Sequence, residues 1–200
     1  DIENVSIEGS GFSPLAVSTL ANPTFTDISF DNNELNALVL IEGARKFTGF
    51  SDLNESGKYV SGSNTISNDV TLGVRSIAGF DNIPYFIDRM TVGTNTRLTL
   101  EPGVIFKFGG DGIDVDGALI AEGTEQERIF FTSIKDDSQG GDTNNDGNDS
   151  EPRNNDWANL EFNDSSIEDE NVLNNVTMRF AGWGSIRISN SFVLIESSII

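Results

Sequence analysis

The sequence contains no cysteine and no histidine. These absences exclude disulfides, thiolate metal sites, cysteine nucleophiles, Ser-His-Asp triads and histidine-bound zinc. Basic residues are also scarce, since 12 lysines and arginines stand against 32 aspartates and glutamates, which leaves a net charge of −20. Nucleic acids require a basic surface and anionic membranes repel an acidic one, so we expect neither as a partner. Cations are the natural counterpart of this charge.

Long hydrophobic runs are missing as well. The longest apolar run, residues 37–41, is far short of the roughly 20 residues that a membrane-spanning helix needs, so we expect no membrane insertion. The last residues, 192–200, are mainly apolar and end in the middle of a strand pattern. We therefore expect further coils or neighbouring subunits to cover the chain ends, because a stable domain rarely ends on an uncapped strand.

An internal repeat of about 23 residues organises the chain. Five pairs of segments align at a spacing of 22 or 23 residues: 4–8 with 27–31, 15–17 with 38–40, 90–92 with 113–115, 106–108 with 129–131, and 176–178 with 198–200. Segment 31–42 alone has helical spacing, but Pro14 occupies the position equivalent to Ala37 and excludes a helix interior there. We interpret this segment as strand.

Apolar and polar residues alternate within each repeat, which is typical of short strands with one buried face. The segments between them are turns, in keeping with 21 Asn, 20 Gly and 21 Ser in the chain. The alternation predicts these inward side chains: Phe106, Phe108, Ile113, Val115, Ile129, Phe131, Leu160, Phe162, Val176, Met178 and Phe180. Thr132 is expected to face solvent and to tolerate alanine.

A period of 22–23 residues with two or three short strands fits one coil of a parallel β-solenoid. The predicted fold class is therefore all-β, a parallel β-helix that is right-handed by the general crossover rule. Residues 1–44 are predicted to form the terminal coils of one β-helix segment, and 45–82 a junction. Residues 83–200 are predicted to form a second segment, which carries an inserted acidic loop at 134–156 and is expected to continue beyond residue 200.

Three segments carry a family resemblance: 83–87 (IPYFI), 98–108 (LTLEPGVIFKF) and 117–124 (GALIAEGT). With the following 129–133 and the acidic stretch after it, they resemble the first coils of bacterial right-handed parallel β-helix surface proteins of the pectin-lyase-like class. The resemblance covers about residues 83–162. It implies a secreted or cell-surface protein, often large and modular.

The function expected from this resemblance is structural or adhesive: a stalk, filament or adhesin segment, with cell-surface glycans as candidate partners. The alternative is a polysaccharide lyase or hydrolase module, because the same fold class includes such enzymes. Catalysis by a lyase would require a basic side chain beside a row of outward carboxylates. Its candidates are expected to be exposed strand charges without such a role: Lys107, Arg179, Arg187, Asp114 and Glu161.

The inserted loop contains a calcium-like motif. Asp142, Asn144 and Asp146 have the spacing of a D-x-[DN]-x-[DN]-G loop, whose oxygens converge on one cation. Position twelve is Arg153, so the bidentate glutamate of an EF-hand is missing. Seven acidic residues fall between 134 and 156, and they would repel one another without a cation. We therefore predict a calcium site with these candidate ligands: Asp137, Asp142, Asn144, Asp146, Asp149 and Glu151.

Two other polar patterns are assigned structural roles. The acidic segment 111–117 resembles a metal motif, but Ile113 and Val115 are predicted to point inward, so its aspartates are ordinary solvent-facing residues. Four residues each precede an inward position and are expected to hydrogen-bond the turn backbone from coil to coil: Asn4, Asp27, Asn175 and Ser197.

Overall fold

The protein is all-β with one short 3₁₀ turn in the part that the structure describes. The computed structural model describes residues 2–8, 15–17, 25–31, 38–42, 45–50, 64–74, 82, 84–144, 146 and 149–200. Its strands are β1 Ile2–Glu8, β2 Leu15–Val17, β3 Phe25–Asp31, β4 Leu38–Glu42, β5 Arg45–Phe50, β6 Asn64–Ile66, β7 Val70–Leu72, β8 Tyr85–Ile87, β9 Met90–Val92, β10 Arg97–Leu100, β11 Ile105–Phe108, β12 Ile113–Val115, β13 Ala118–Glu122, β14 Ile129–Ser133, β15 Leu160–Phe162, β16 Val172–Asn174, β17 Val176–Met178, β18 Ile186–Ile188 and β19 Leu194–Glu196, with the 3₁₀ turn at Glu168–Glu170. None of the described segments is a helix long and apolar enough to cross a membrane.

Three sheets hold most of the strands. Sheet 1 has the order β19-β16-β13-β10-β7, sheet 2 the order β17-β14-β11-β8-β5-β4-β2, and sheet 3 the order β18-β15-β12-β9-β6. From β6 to β19 the chain visits sheets 3, 1 and 2 in the same order, and from β9 onward each strand pairs in parallel with the third strand before it. This arrangement is compatible with the predicted parallel β-helix.

Strand β5 interrupts the parallel pairing. It lies antiparallel to β4 through pairs such as Glu42 with Arg45, and antiparallel to β8 through Thr48 and Phe86. Within the predicted junction 45–82, β6 pairs in parallel with β9 and β7 with β10. The weak strand signal at 76–77 lies outside the described residues. Before the junction, β1 pairs in parallel with β3 and β2 with β4.

The core lies between the three sheets and forms one apolar cluster. Ten of the eleven predicted inward residues are at most 5% exposed, which confirms the alternation. Phe180 is the exception, because it is only half-buried. It follows strand β17 with a φ of 61°, so the backbone has already left the extended conformation that would aim its side chain inward.

The aligned segments pair largely as predicted. Val5 pairs with Ile28, Leu15 with Leu38, Met90 with Ile113 and Thr177 with Ile199. The alignment of 106–108 with 129–131 is wrong by two residues, since Phe106 pairs with Phe131.

The cause of this shift is a longer turn. Phe106 follows Leu100 by six residues, whereas Phe131 follows Ala121, the partner of Leu100, by ten. The additional residues lie in the turn 123–128. A slip of two residues keeps every side chain on its predicted face, so the inward assignment is correct although the partner is not.

Asn175 has the structural role that its position predicted. It has a φ of 50°, and its side-chain amide donates to the Gly123 carbonyl in the neighbouring layer at 3.2 Å. Asn4 and Ser197 also have positive φ values, of 55° and 49°. Asparagine tolerates this left-handed conformation better than most residues, which explains its use at the turns.

The first prediction concerns the core. Phe131 is fully buried and its ring meets Phe106 edge-on, with 5.7 Å between the ring centroids. Phe131→Ala should lower the free energy of unfolding by about 3–5 kcal/mol, because it removes buried apolar area and leaves a cavity. Chemical denaturation measures the loss. Phe192→Ala is the matched control, since Phe192 is 55% exposed and its loss should stay below about 1 kcal/mol. Equal losses at the two sites would contradict this core.

Candidate metal centre

The acidic segment 134–156, here called the excursion, connects β14 to β15 and packs back onto sheet 2. Gly140 lies so close to Pro84 that a Cβ at this position would come within 2.2 Å of the proline Cγ. Its φ of 67° is one that glycine adopts readily. The Lys107 ammonium donates a hydrogen bond to the Gly141 carbonyl oxygen. The excursion is therefore part of the folded body, not a projecting loop.

This packing buries the outer face of sheet 2. Phe86, Lys107 and Thr132 are neighbours on three adjacent strands, and all three are at most 3% exposed. Phe106 and Phe108 point into the main core and alternate with Lys107 along strand β11. Lys107 and its neighbours Phe86 and Thr132 therefore point away from the main core. The expectation that Lys107 and Thr132 face solvent is wrong, because the excursion covers them.

The first anchor of the excursion is Asp136, which is 3% exposed. The buried Thr132 hydroxyl donates to Asp136 Oδ2 at 2.6 Å, and the Ser138 backbone N–H donates to Oδ1 at 3.2 Å. Arg179 lies 3.8 Å from the same carboxylate and its guanidinium sits 5.6 Å from the centre of the Phe130 ring. Alanine at Thr132 would remove the hydroxyl that donates to the buried Oδ2 of Asp136, so this position is not expected to tolerate it.

The second anchor is Asp156, where the excursion ends. Its carboxylate accepts hydrogen bonds from the Ser133 hydroxyl at 2.7 Å, from Lys135 Nζ at 2.9 Å and from the Arg153 backbone N–H at 2.9 Å. Partial burial opposes ionisation of Asp156, but these donors outweigh it and lower the pKa of the carboxyl below its usual value. Both ends of the excursion are thus tied to sheet 2 by buried or half-buried carboxylates.

Between the anchors, three carboxylates converge. One oxygen from each of Asp137, Asp142 and Asp146 lies within 4.8 Å of the others, and all three side chains are half-buried. Asn144 joins them, since its amide donates to Asp146 Oδ2 at 2.7 Å. The Asp146 backbone N–H donates to Asp142 Oδ1 at 3.2 Å, which holds these two residues together. These four residues are the candidate metal centre.

Three oxygens of this centre are buried and have no hydrogen-bond donor among the described residues: Asp137 Oδ1, Asn144 Oδ1 and Asp146 Oδ1. A buried carboxylate or amide oxygen normally has a partner, because desolvation without one is costly. A cation bound between these oxygens would supply it. An all-oxygen donor set in irregular loop geometry suits calcium better than magnesium, which requires a strict octahedron.

Two charged groups at the centre, Asp137 and Lys107, have shifted pKa values. Burial raises the pKa of Asp137 above its usual value, and the neighbouring Asp142 raises it further. Burial lowers the pKa of Lys107 to about 8, although Asp137, Asp136 and Asp142 favour its charged form. The ammonium lies beside Asp142, because its acceptor is the carbonyl of Gly141. The centre therefore already contains one positive charge of the protein.

The structure gathers four of the six predicted ligands. Asp137, Asp142, Asn144 and Asp146 lie together, whereas Asp149 and Glu151 are exposed and are not part of the described carboxylate cluster. The motif residues Asn145 and Gly147 lie outside the described residues. The Ser150 hydroxyl is hydrogen-bonded to both Asn144 and Asp146, so Ser150 lies beside the candidate metal centre.

The second metal-like motif, 111–117, has structural partners. Asp114 forms an ion pair with Arg89 at 3.0 Å, and Asp116 accepts hydrogen bonds from Asn163 at 2.9 Å and Ser165 at 3.1 Å. Ile113 and Val115 are buried, as predicted. The motif therefore joins neighbouring layers through its aspartates.

The candidate catalytic bases are likewise engaged in contacts. Arg187 is exposed and lies 3.3 Å from Glu161 on the adjacent strand of sheet 3. Arg179 is held by Asp136 and Phe130, and Lys107 is covered by the excursion. Lys107 and Arg187 lie on different sheets. Lys107 is hydrogen-bonded to the Gly141 carbonyl and Arg187 is paired with Glu161.

Sequence reasoning missed the residues that lie beneath the excursion. Lys107, Thr132 and Ser133 were assigned no role in the site, yet they bind its carbonyl and carboxylates. A signal was present in the apolar residues that break the alternation, such as Phe86 and Ile105, which are 3% and 4% exposed. Strands that are apolar on both faces are typical of sheets covered on both sides.

No family model matches this sequence, and no curated protein or solved structure is significantly similar to it.

Proposed function

We propose that this chain is a structural or adhesive segment of an extracellular bacterial surface protein, built as a right-handed parallel β-helix and stabilised by calcium. The observation that carries the proposal is the fixed order in which the chain visits its three sheets. A protein of this architecture becomes longer by the addition of layers, and its function depends on an extended body more than on a single cavity. Stalks, filaments and adhesins use such rigid extended bodies.

The sheet registers support the β-helix. In one pair of successive layers, where β9, β10 and β11 pair with β12, β13 and β14, the offset is 23 residues in sheet 3, 21 in sheet 1 and 25 in sheet 2. These offsets average to the period of the sequence. Parallel strands joined by crossovers in one sheet are almost always right-handed, which gives the proposed hand.

Calcium binding fits an extracellular location. A net charge of −20 makes the folded chain repel itself, and bound cations reduce that repulsion. Extracellular sites can have a Kd of about 10⁻⁴–10⁻³ M and still be filled where calcium is millimolar. Asp137, Asp142, Asn144 and Asp146 would hold the ion at the top of the excursion.

A structural role is favoured over the lyase or hydrolase alternative by the contacts of the basic residues. Lyase chemistry needs a base that reaches substrate, and Lys107 is fully buried while Arg179 and Arg187 are bound to carboxylates. Cell-surface glycans remain candidate partners of the outer faces. The acidic surface disfavours polyuronates among them, because like charges must then approach.

Neighbouring layers are the proposed partners at the open edge of the sheets. Strands β17, β18 and β19 are the last in their sheets, and Ile195, Ile199 and Ile200 beside them are between 41% and 61% exposed. An open strand edge offers unpaired backbone groups as well as this apolar surface. A further coil or a neighbouring subunit would satisfy both.

Calcium should raise the stability of the folded chain. Binding to the native state alone contributes RT ln(1 + [L]/Kd), about 2.7 kcal/mol at a hundredfold excess over Kd. Removing calcium with EGTA should lower the melting temperature and accelerate proteolysis between residues 134 and 156. Asp146→Asn should abolish most of this response, because it removes one of the three converging charges.

Asp149→Asn is the matched control for the calcium experiment. Asp149 lies in the same excursion and is exposed, so the same loss of charge should leave the calcium response intact. Identical melting and proteolysis of the unmodified chain in calcium and in EGTA would contradict the metal assignment.

The open edge should promote self-association of the chain. Sedimentation velocity at rising concentration should detect oligomers, and Ile199→Lys should move their formation to at least about tenfold higher concentration, because a charge then faces the apolar edge. Gln126→Lys is the control, since Gln126 is exposed in the turn between β13 and β14, which have paired strands on both sides, and the change adds the same charge. A chain that stays monomeric at high concentration would contradict pairing at this edge.

A further inference from the structure

We infer that Lys107 is a resident counter-charge of the metal centre: its buried ammonium holds the excursion in place without metal and weakens the binding of calcium. This inference rests on the proposed calcium site and adds the residue that sets its affinity. It comes from the position of Lys107 beneath the excursion.

The position of Lys107 is fixed by the sheet. Its strand, β11, lies between β8 and β14, and the register places Lys107 between Phe86 and Thr132. Its side chain is fully buried, so it leaves the sheet directly beneath the excursion. The ammonium donates to the carbonyl of Gly141, and the next residue is Asp142, a member of the carboxylate cluster.

The surroundings of the ammonium are acidic on the side of the excursion. Thr132, beside Lys107, bonds Asp136, and the next residue is Asp137. Asp137, Asp136 and Asp142 all stabilise the charged form of Lys107, while burial opposes it and lowers its pKa to about 8. The three carboxylates therefore favour a charged ammonium, which in turn offsets part of the repulsion among the aspartates.

The same carboxylates cannot stabilise both the Lys107 ammonium and a calcium ion without a loss of calcium affinity. A calcium ion among Asp137, Asp142 and Asp146 would be repelled by the nearby ammonium, and this repulsion is weakly screened because Lys107 is buried. Loss of the ammonium should thus have opposite effects in the two states. The excursion becomes less stable without metal, and calcium binds more tightly.

Lys107→Met tests the inference, because methionine preserves the length of an unbranched side chain without the charge. Isothermal titration with calcium chloride should give a Kd at least about tenfold lower than that of the unmodified chain. In EGTA, proteolysis within 134–156 should be at least about threefold faster. Near-ultraviolet circular dichroism, dominated by the buried Trp157 and Tyr85, reports whether the variant is folded.

Arg153→Met is the matched control. Arg153 belongs to the excursion and is exposed, and the substitution keeps the backbone N–H that donates to Asp156. The variant makes the same change in net charge and should change the calcium Kd less than about twofold, because exposed charges are screened. A larger effect at Lys107 than at Arg153 separates a local role from the general effect of charge.

The outcomes separate this inference from the proposed function. If the unmodified chain binds calcium and Lys107→Met binds it equally or more weakly, the inference is wrong and the calcium site stands. If only the variant binds calcium, Lys107 is supported as the resident cation, and calcium stabilisation of the natural chain is wrong. If neither binds calcium, both are wrong. Structural damage alone would weaken binding, so tighter binding is specific to the removal of the charge.

Discussion

The structure depends on one constraint: no layer of strands can satisfy its backbone groups or bury its inner face without the layers beside it. Strand β11 illustrates this, because its hydrogen bonds run to β8 and β14 and the Phe106 and Phe108 rings pack on the rings of those layers and on Trp157. Even the turns follow the rule, since the amide of Asn175 bonds the carbonyl of Gly123 in the adjacent layer. Each insertion must therefore leave and rejoin the stack without breaking it.

The excursion meets this constraint by rejoining the stack at the next strand. It leaves after β14 and rejoins before β15, where the Asp156 N–H donates to the Phe180 carbonyl and Trp157 forms a bridge with Ala181. Its middle lies on sheet 2 and converts a solvent-facing surface into a second interior. That second interior is polar, so its stability depends on paired charges more than on apolar area.

Electrostatics then connects the fold to the proposed function. The protein carries excess negative charge, yet the excursion brings Asp137, Asp142 and Asp146 together next to a buried lysine. Lys107, together with Arg179 at Asp136 and Lys135 at Asp156, supplies the positive charges of the protein itself. An external cation would complete this set at the three buried oxygens that have no donor among the described residues, and in the proposed function the balance between the two kinds of charge would decide how strongly the fold responds to calcium.

The sequence alone determined the repeating strands and their inward faces, because alternation and period are local properties of the chain that survive a two-residue error in register, as at Phe106 and Phe131. It also predicted that Asp137, Asp142, Asn144 and Asp146 lie close together, since three of them follow a motif of fixed spacing. Only the tertiary structure decided that Lys107 and Thr132 are interior and that Asp149 and Glu151 are exposed. The reason is that burial of an outward strand residue depends on where a distant segment packs, and the 134–156 excursion reaches Lys107 through contacts that no local pattern encodes.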